Sequence, residues 1–315
     1  MKSQVSQKIR SHALDLGFSH VGISPADPLL REGERLREWL ARGYHGTMDW
    51  MERRVEKRSD PREVLPGARS IIVTAMNYYV PVRHSQEAAI GKISRYAWGD
   101  DYHDVVRERL ELLLSFIQSC ISDVHAKIYV DTGPVMEKAL AQRAGIGWIG
   151  KHTNLITHDH GSWVFLGEIL LDVELEYDHA DIDHCGSCTL CIEACPTDAI
   201  VEPYVLDSNL CISYLTIEHR GEIEDKLGEK FDRWIYGCDI CQDVCPWNHK
   251  FSKPSKEEGF SPRQHNVAPN LAEWKNMNEE DFRDKFRESP MKRTKHSGLK
   301  RNIEISLVGE SQGQL

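Results

Sequence analysis

Nine cysteines occur in this 315-residue chain, and eight of them fall between Cys185 and Cys245. The first run is Cys185-x2-Cys188-x2-Cys191-x3-Cys195-Pro196. The second is Cys238-x2-Cys241-x3-Cys245-Pro246, with Cys211 upstream. Two-residue gaps let consecutive thiolates wrap one compact metal–sulfur body, while the cysteine before proline reaches across to a second body. That rule predicts two [4Fe–4S] clusters. One takes Cys185, Cys188, Cys191 and Cys245; the other takes Cys195, Cys211, Cys238 and Cys241. Zinc also binds CxxC pairs, but a cysteine run ending in Cys-Pro, and repeated, is the more specific pattern for iron. Cys120, spaced with apolar neighbours on a helix, is expected to be a buried core thiol.

Disulfides are the other use of clustered cysteines. The start, MKSQVSQKIRSHALDLG, reads as an amphipathic helix without the apolar core of a secretion signal, so a reducing cytoplasmic setting and metal are expected. No apolar run approaches the roughly 20 residues that span a bilayer. The formal charge of −10 argues against a general nucleic-acid coat. It leaves room for a local basic face, and residues 286–301, FRESPMKRTKHSGLKR, form one.

Two clusters make an electron path, and a path needs an end. A carrier needs only the cysteine region, yet residues 1–175 precede it, so a reaction centre is expected there. Periodicity predicts helices over 2–16, 29–41, 104–119 and 134–143, the last with proline in its first turn. It predicts strands over 20–23, 70–76, 126–130 and 163–171. This alternation gives an α/β (α+β) domain with helices packed on a central sheet. Residues 176–250 read as a ferredoxin-like domain, and 251–315 as a short helical, basic tail.

Four further segments stand out: SRYAWGDDYH at 94–103, VDTGPVMEK at 130–138, RAGIGWIGKHTNL at 143–155 and SWVFLGE at 162–168. Together with the cysteine block they resemble the epoxyqueuosine reductases, from residue 5 to residue 305. The resemblance implies a cobalamin enzyme that reduces the epoxide of epoxyqueuosine to queuosine at the wobble position of tRNA with a GUN anticodon. Electrons would pass from an external donor through the clusters to cobalt. No DxHxxG segment is present to offer a lower histidine ligand, so base-off cobalamin without a histidine ligand is expected. A monomer is expected as well.

Asp131 matches the family's proposed proton donor. Opening an epoxide generates an alkoxide that a nearby acid must protonate, and Asp131 follows a strand end, where ligands commonly sit. To act near neutral pH its carboxyl is expected to be raised by burial. The alternative is a helix cap, although Thr132 and Gly133 lie closer to that position. Tyr102 and His103 are other proton sources, or packing residues. Gly145, Gly147 and Gly150 would let the backbone approach a flat macrocycle. Arg58, Asn154 and Ser162 are candidate corrin or phosphate contacts, though Arg58 also reads as one charge in the solvated run ERRVEKR. Ser213 and Tyr214, beside Cys211, are candidates for the approach of the second cluster to the corrin. Lys292, Arg293 and Lys295 are the tRNA candidates. Many family members continue into a helical-repeat tail, whereas this chain stops soon after residue 305. Two other classes stay open: a corrinoid dehalogenase, which needs no basic tail, and an electron-transfer partner without cobalamin.

Overall fold

In the computed structural model residues 2–312 are described, so the last three residues of the expected tail lie outside it. In chain order the first half contains α1 (Lys2–Asp15), β1 (His20–Pro25), α2 (Leu30–Ala41), α3 (Val55–Ser59), β2 (Ser70–Asn77) and β3 (Lys92–Ile93). It continues with α4 (Tyr102–Cys120), β4 (Ala126–Tyr129), α5 (Glu137–Arg143), the hairpin β5 (Trp148–Ile149) and β6 (Leu155–Ile156), and β7 (Val164–Leu171). Four strands form one sheet in the order β1-β2-β7-β4. Every ladder in it is antiparallel, so the architecture is α+β with no parallel βαβ unit. The strand-end rule for parallel sheets therefore does not apply to Asp131.

Side-chain alternation sorts the two faces of β7. Phe165, Ile169 and Leu171 join Ile9, Ala13, Val106, Leu110, Leu113 and Ile117 of α1 and α4. Leu166 and Leu170 join Leu140 and Ala141 of α5 and Ala144 just after it. Glu168 lies between them and is fully buried. β2 is buried along its whole length, whereas β4 is a half-covered edge strand. The segment that follows β4 is therefore free to leave the sheet.

Two local expectations fail. Cys120 is exposed, not core: it is the last residue of α4, Ile121 is already extended, and its thiol lies 3.9 Å from the Ser119 hydroxyl. The helix expected from residue 134 begins at Glu137. Asp131 adopts φ +57°, and the Thr132 N–H closes on the Val130 carbonyl at 2.6 Å, so 131–136 forms a loop. A Cβ on Gly133 would run into the Tyr129 ring, so glycine is required for this close approach.

Residues beyond 250 are not a separate tail. Leu271, Trp274, Phe282, Phe286, Met291, Leu299 and Ile303 share one core with Ile93, Ala97, Trp98, Ile235 and Tyr236. β3 pairs in parallel with the strand Trp234–Tyr236 inside it. The expected boundaries near residues 176 and 251 are thus crossed by packing. No helix among the described residues is long and apolar enough to cross a membrane.

A buried ion pair fixes the second cysteine run against this core. Asp239, fully buried, accepts from the Ser94 hydroxyl at 2.5 Å, the Arg95 backbone N–H at 3.0 Å and the Arg95 guanidinium at 2.9 Å. Arg95 also donates to Asp243 at 2.7 Å and lies over the Trp98 and Trp163 rings. Removing one partner of such a pair leaves an uncompensated buried charge. Arg95→Leu is expected to cost about 3–5 kcal/mol of stability, measured by denaturant unfolding; a loss below 1 kcal/mol on that ~3–5 scale would show that the pair is not what holds the two halves together.

Candidate active site and metal centres

The eight clustered thiols fall into two groups. Cys185, Cys188, Cys191 and Cys245 line one cavity with Lys151, His152, His184 and Trp247. Burial pushes the Cys191 thiol up to about 11, and the neighbouring sulfurs of Cys185, Cys245 and Cys188 push the same way. Among the other four, burial raises Cys241, with Cys211, Cys191 of the first group and Cys195 adding to it, and Cys238 is raised by burial and by Cys241. All are free thiols. Compact groups of soft thiol donors suit iron–sulfur bodies. The hairpin β5–β6 braces the first group: Lys151 donates to the carbonyls of Gly186 at 2.6 Å and Cys188 at 3.0 Å.

Asp131 stands where α4 meets the loop after β4. Its carboxylate accepts from the Tyr102 hydroxyl at 2.9 Å and from His103 Nε2 at 3.3 Å. His103 Nδ1 contacts Asp101 at 2.7 Å, and Asp101, nearly buried, meets Lys292 at 2.8 Å. A row Lys292–Asp101–His103–Asp131 results. Burial lowers His103, but its hydrogen bonds to Asp101 and Asp131 more than offset this and bring it to about 9. Asp101 is raised by burial, yet His103 and Lys292 hold it at about 2. Tyr102, stacked on Phe165 with ring centroids 4.3 Å apart, is raised by burial and by Asp131 and stays a neutral donor.

The expectation of a raised Asp131 is overturned. The recess around the carboxyl raises it, but hydrogen bonds from His103 and Tyr102 outweigh that, and the group lies below the ordinary carboxylate range. Solvent reaches the side chain, which is 60% exposed, so it is not desolvated enough to keep a proton. The proton resides on His103 instead.

Lys138 joins this row to the second thiol group. Burial lowers it, opposed by Asp131 and Glu137 on one side and by Cys241 and Cys211 on the other. Its ammonium donates to the Thr153 carbonyl at 3.1 Å and to Asn154 Oδ1 at 2.9 Å. Arg58 lies over the Trp50 ring at 5.4 Å, within the electrostatic reach of Asp131, and its Nε is buried with no partner among the described residues. Arg58, Lys138 and Asn154 thus present cationic and amide groups around Asp131, beside the second thiol group. That donor set fits a ligand rich in amides and phosphate. Ser213 flanks Cys211, toward whose sulfur its backbone N–H is directed.

Two other candidates are committed elsewhere. Ser162 is buried, its hydroxyl accepting from Gln242 at 3.0 Å and Asn248 at 2.8 Å. The Tyr214 hydroxyl accepts from the Thr47 N–H at 2.6 Å and contacts its hydroxyl at 2.8 Å. Both hydroxyls tie segments together, while the Tyr214 backbone N–H, like that of Ser213, is directed toward the Cys211 sulfur. The basic residues sit beside the row rather than on a tail. Lys292 pairs with Asp101, and Arg293 pairs with Glu218 at 2.7 Å within the field of Asp131. Lys295 has no ion-pair partner within reach among the described residues.

Asp101, Lys138, Glu137 and Glu168 were not singled out by the pattern of the sequence. All four lie in the segments SRYAWGDDYH, VDTGPVMEK and SWVFLGE. A carboxyl inside the apolar strand WVFLGEILL was the available signal.

A family model described as "Epoxyqueuosine reductase QueG, DUF1730" matches residues 58–132, and a "4Fe-4S double cluster binding domain" matches residues 184–248. The chain is 46% identical to the epoxyqueuosine reductase of Cellulophaga algicola, covering 96% of this chain and 98% of that protein. It is 42% identical to that of Escherichia coli, covering 97% and 81%. Among solved structures it is similar to an epoxyqueuosine reductase bound to an epoxyqueuosine-modified tRNA-Tyr stem loop, with 34% identity, TM-score 0.90 and coverage of 97% and 81%. It is also similar to the Bacillus subtilis enzyme with its catalytic aspartate loop swung out of the active site, at 32% identity, TM-score 0.91 and coverage of 99% and 83%. With a domain for two 4Fe–4S clusters following the family's own domain, this chain belongs to the epoxyqueuosine reductases, a family of oxidoreductases.

Proposed function

We propose that this protein converts epoxyqueuosine to queuosine in the wobble position of tRNA with a GUN anticodon, and that Asp131 hands the proton to the departing epoxide oxygen. The observation that carries the reading is the hydrogen-bonded row Lys292–Asp101–His103–Asp131, set between the second thiol group and the basic residues. Loss of the epoxide oxygen as water consumes two electrons and two protons. Asp131 is ionised at rest, so it acts as the contact through which a proton passes, and the His103 imidazolium, steadied by Asp101, is the store behind it. Tyr102 holds the carboxylate in orientation from the other side.

The cofactor reading follows the same placement. Cys185, Cys188, Cys191 and Cys245 are the proposed ligands of one cluster, and Cys195, Cys211, Cys238 and Cys241 of the other. Arg58, Asn154, Lys138 and Ser213 are the proposed contacts of base-off cobalamin. When bound, the clusters would relay electrons singly from an external donor, and cobalamin would deliver them to the epoxide as the reductant. Arg293 and Lys295, with Lys292, would hold phosphates of the anticodon stem-loop beside Asp131. An unstacked loop is where a protein reaches a single RNA base.

Asp131→Asn should keep both clusters by absorbance while turnover of epoxyqueuosine-containing stem-loop falls by about 10²–10⁴-fold; a rate near that of the unaltered protein removes Asp131 from the mechanism. Turnover should decline as pH rises through about 9, where His103 loses its proton, and His103→Gln should lack that limb. Cys195 and Cys245 each cross between the runs, so serine at either should lower iron and acid-labile sulfide by more than one cluster's share; stoichiometric zinc without iron would overturn the assignment. Finally, Arg293→Gln with Lys295→Gln should weaken stem-loop binding and flatten its dependence on salt, the slope falling by about 0.7 for each phosphate no longer neutralised. Unchanged affinity would move the RNA face elsewhere.

A further inference from the structure

Glu168 stands on β7 between Leu166 and Leu170, on the face packed by α5, and is fully buried. No donor reaches either of its oxygens among the described residues. Its neighbours across the ladders are Val73 of β2 and Tyr129 of β4. What it meets is the carboxyl of Glu137, in the first turn of α5. Two ionised carboxylates are acceptors only and repel; two carboxyls hydrogen-bond when a proton lies between them. Glu137 Oε1 in turn accepts the backbone N–H of Asp131. A row therefore runs from the centre of the sheet to the loop: Glu168, the shared proton, Glu137, Asp131.

That loop needs an anchor. Asp131 holds φ +57°, a region costly for a residue with a side chain, and it sits in a three-residue turn closed by Thr132. Among the described residues its side chain is tied to Tyr102 and His103 alone. Glu137 supplies the tie on the backbone.

We propose that Glu137 and Glu168, by sharing one proton, are positioning residues that latch the Asp131 loop in its working place. This rests on the reading of Asp131 as proton donor. The titratable groups that face the pair are Asp131 and Tyr102 toward the site, Lys138 next along α5 and Tyr129 across from Glu168. Burial, with Asp131 adding to it, brings Glu137 to about 7, and burial and Glu137 raise Glu168 well above the ordinary range. The proton therefore stays on the pair near neutral pH. When it leaves, two buried charges face Asp131 with Lys138 as the neighbouring cation, and the latch opens.

The test reads the loop as well as the rate. Amide hydrogen exchange of residues 130–136 is followed by mass spectrometry on the cluster-loaded protein without RNA. Kinetics use an epoxyqueuosine-containing stem-loop. Glu137→Ala and Glu168→Leu should speed exchange in this segment at least tenfold and lower kcat at least tenfold with little change in KM. Glu168→Gln, which keeps a donor to Glu137, and Glu137→Gln, which keeps an acceptor for Asp131, should restore both toward the unaltered protein. Infrared difference spectra across pH should show a protonated-carboxyl band that Glu168→Gln lacks. Unchanged exchange in Glu137→Ala, or Glu168→Gln behaving as Glu168→Leu, overturns the latch. Should Glu168→Leu not fold, the Glu137 pair alone decides. Failure of the unaltered protein to turn over the stem-loop would instead refute the reading of the function, leaving the exchange result to judge the latch by itself.

Discussion

A buried charge inside a cysteine run constrains this molecule. Asp239 lies between Cys238 and Cys241, out of contact with water, and its carboxylate is met by two donors of Arg95 and one of Ser94. A charge there is tolerable only because those partners are fixed. They are fixed because the chain around Arg95 is itself locked into the core of Trp98, Tyr236 and Phe286. The second thiol group is thus held in place relative to the segment that leads into α4. Two residues of α4, Tyr102 and His103, hold Asp131. The spacing between the proposed redox centre and the proposed acid is a consequence of one ion pair and one helix.

Around Asp131 the charges are graded. Asp101 is kept ionised by Lys292 and His103, His103 is kept protonated by two carboxylates, and Asp131 is kept ionised by His103 and Tyr102. Behind it lies a pair of opposite character, Glu137 and Glu168, where burial favours the protonated form. The same residue type behaves in opposite ways a few ångströms apart. The difference is that charged or hydroxyl side chains donate to Asp101 and Asp131, whereas Glu137 receives one backbone N–H, too little to offset its burial.

The basic segment is also reshaped by its surroundings. Arg301 spends its guanidinium on the carbonyls of Leu215, His219 and Gly221, which makes it a structural tie. Lys292 and Arg293 keep about half of their side chains open to solvent while paired with acids. An incoming phosphate would compete with Asp101 and Glu218 for them, so the pairing tempers the affinity of this face.

Spacing alone carries the proposed division of the eight cysteines into two sets, because Cys-x2-Cys geometry and a following proline restrict which thiols can share a body. Periodicity placed α1 and α4, whose apolar residues repeat with the period of one buried face, and continuous apolar runs placed β2 and β7, which are buried on both faces. Local sequence did not reveal that the strands pair antiparallel, that residues 271–303 belong to the core of residues 93–98, or that Cys120 falls at an exposed helix end. Those follow from contacts between distant segments. The same holds for the site. Asp131 was legible as a residue, but its low proton affinity comes from His103 and Tyr102 on another helix. Ser162 and Tyr214 were equally plausible polar groups until Asn248, Gln242 and Thr47 claimed them. The chain's own order determined which chemistry is available; the tertiary structure decided where the proton rests, since a carboxyl's ionisation depends on the donors folded against it.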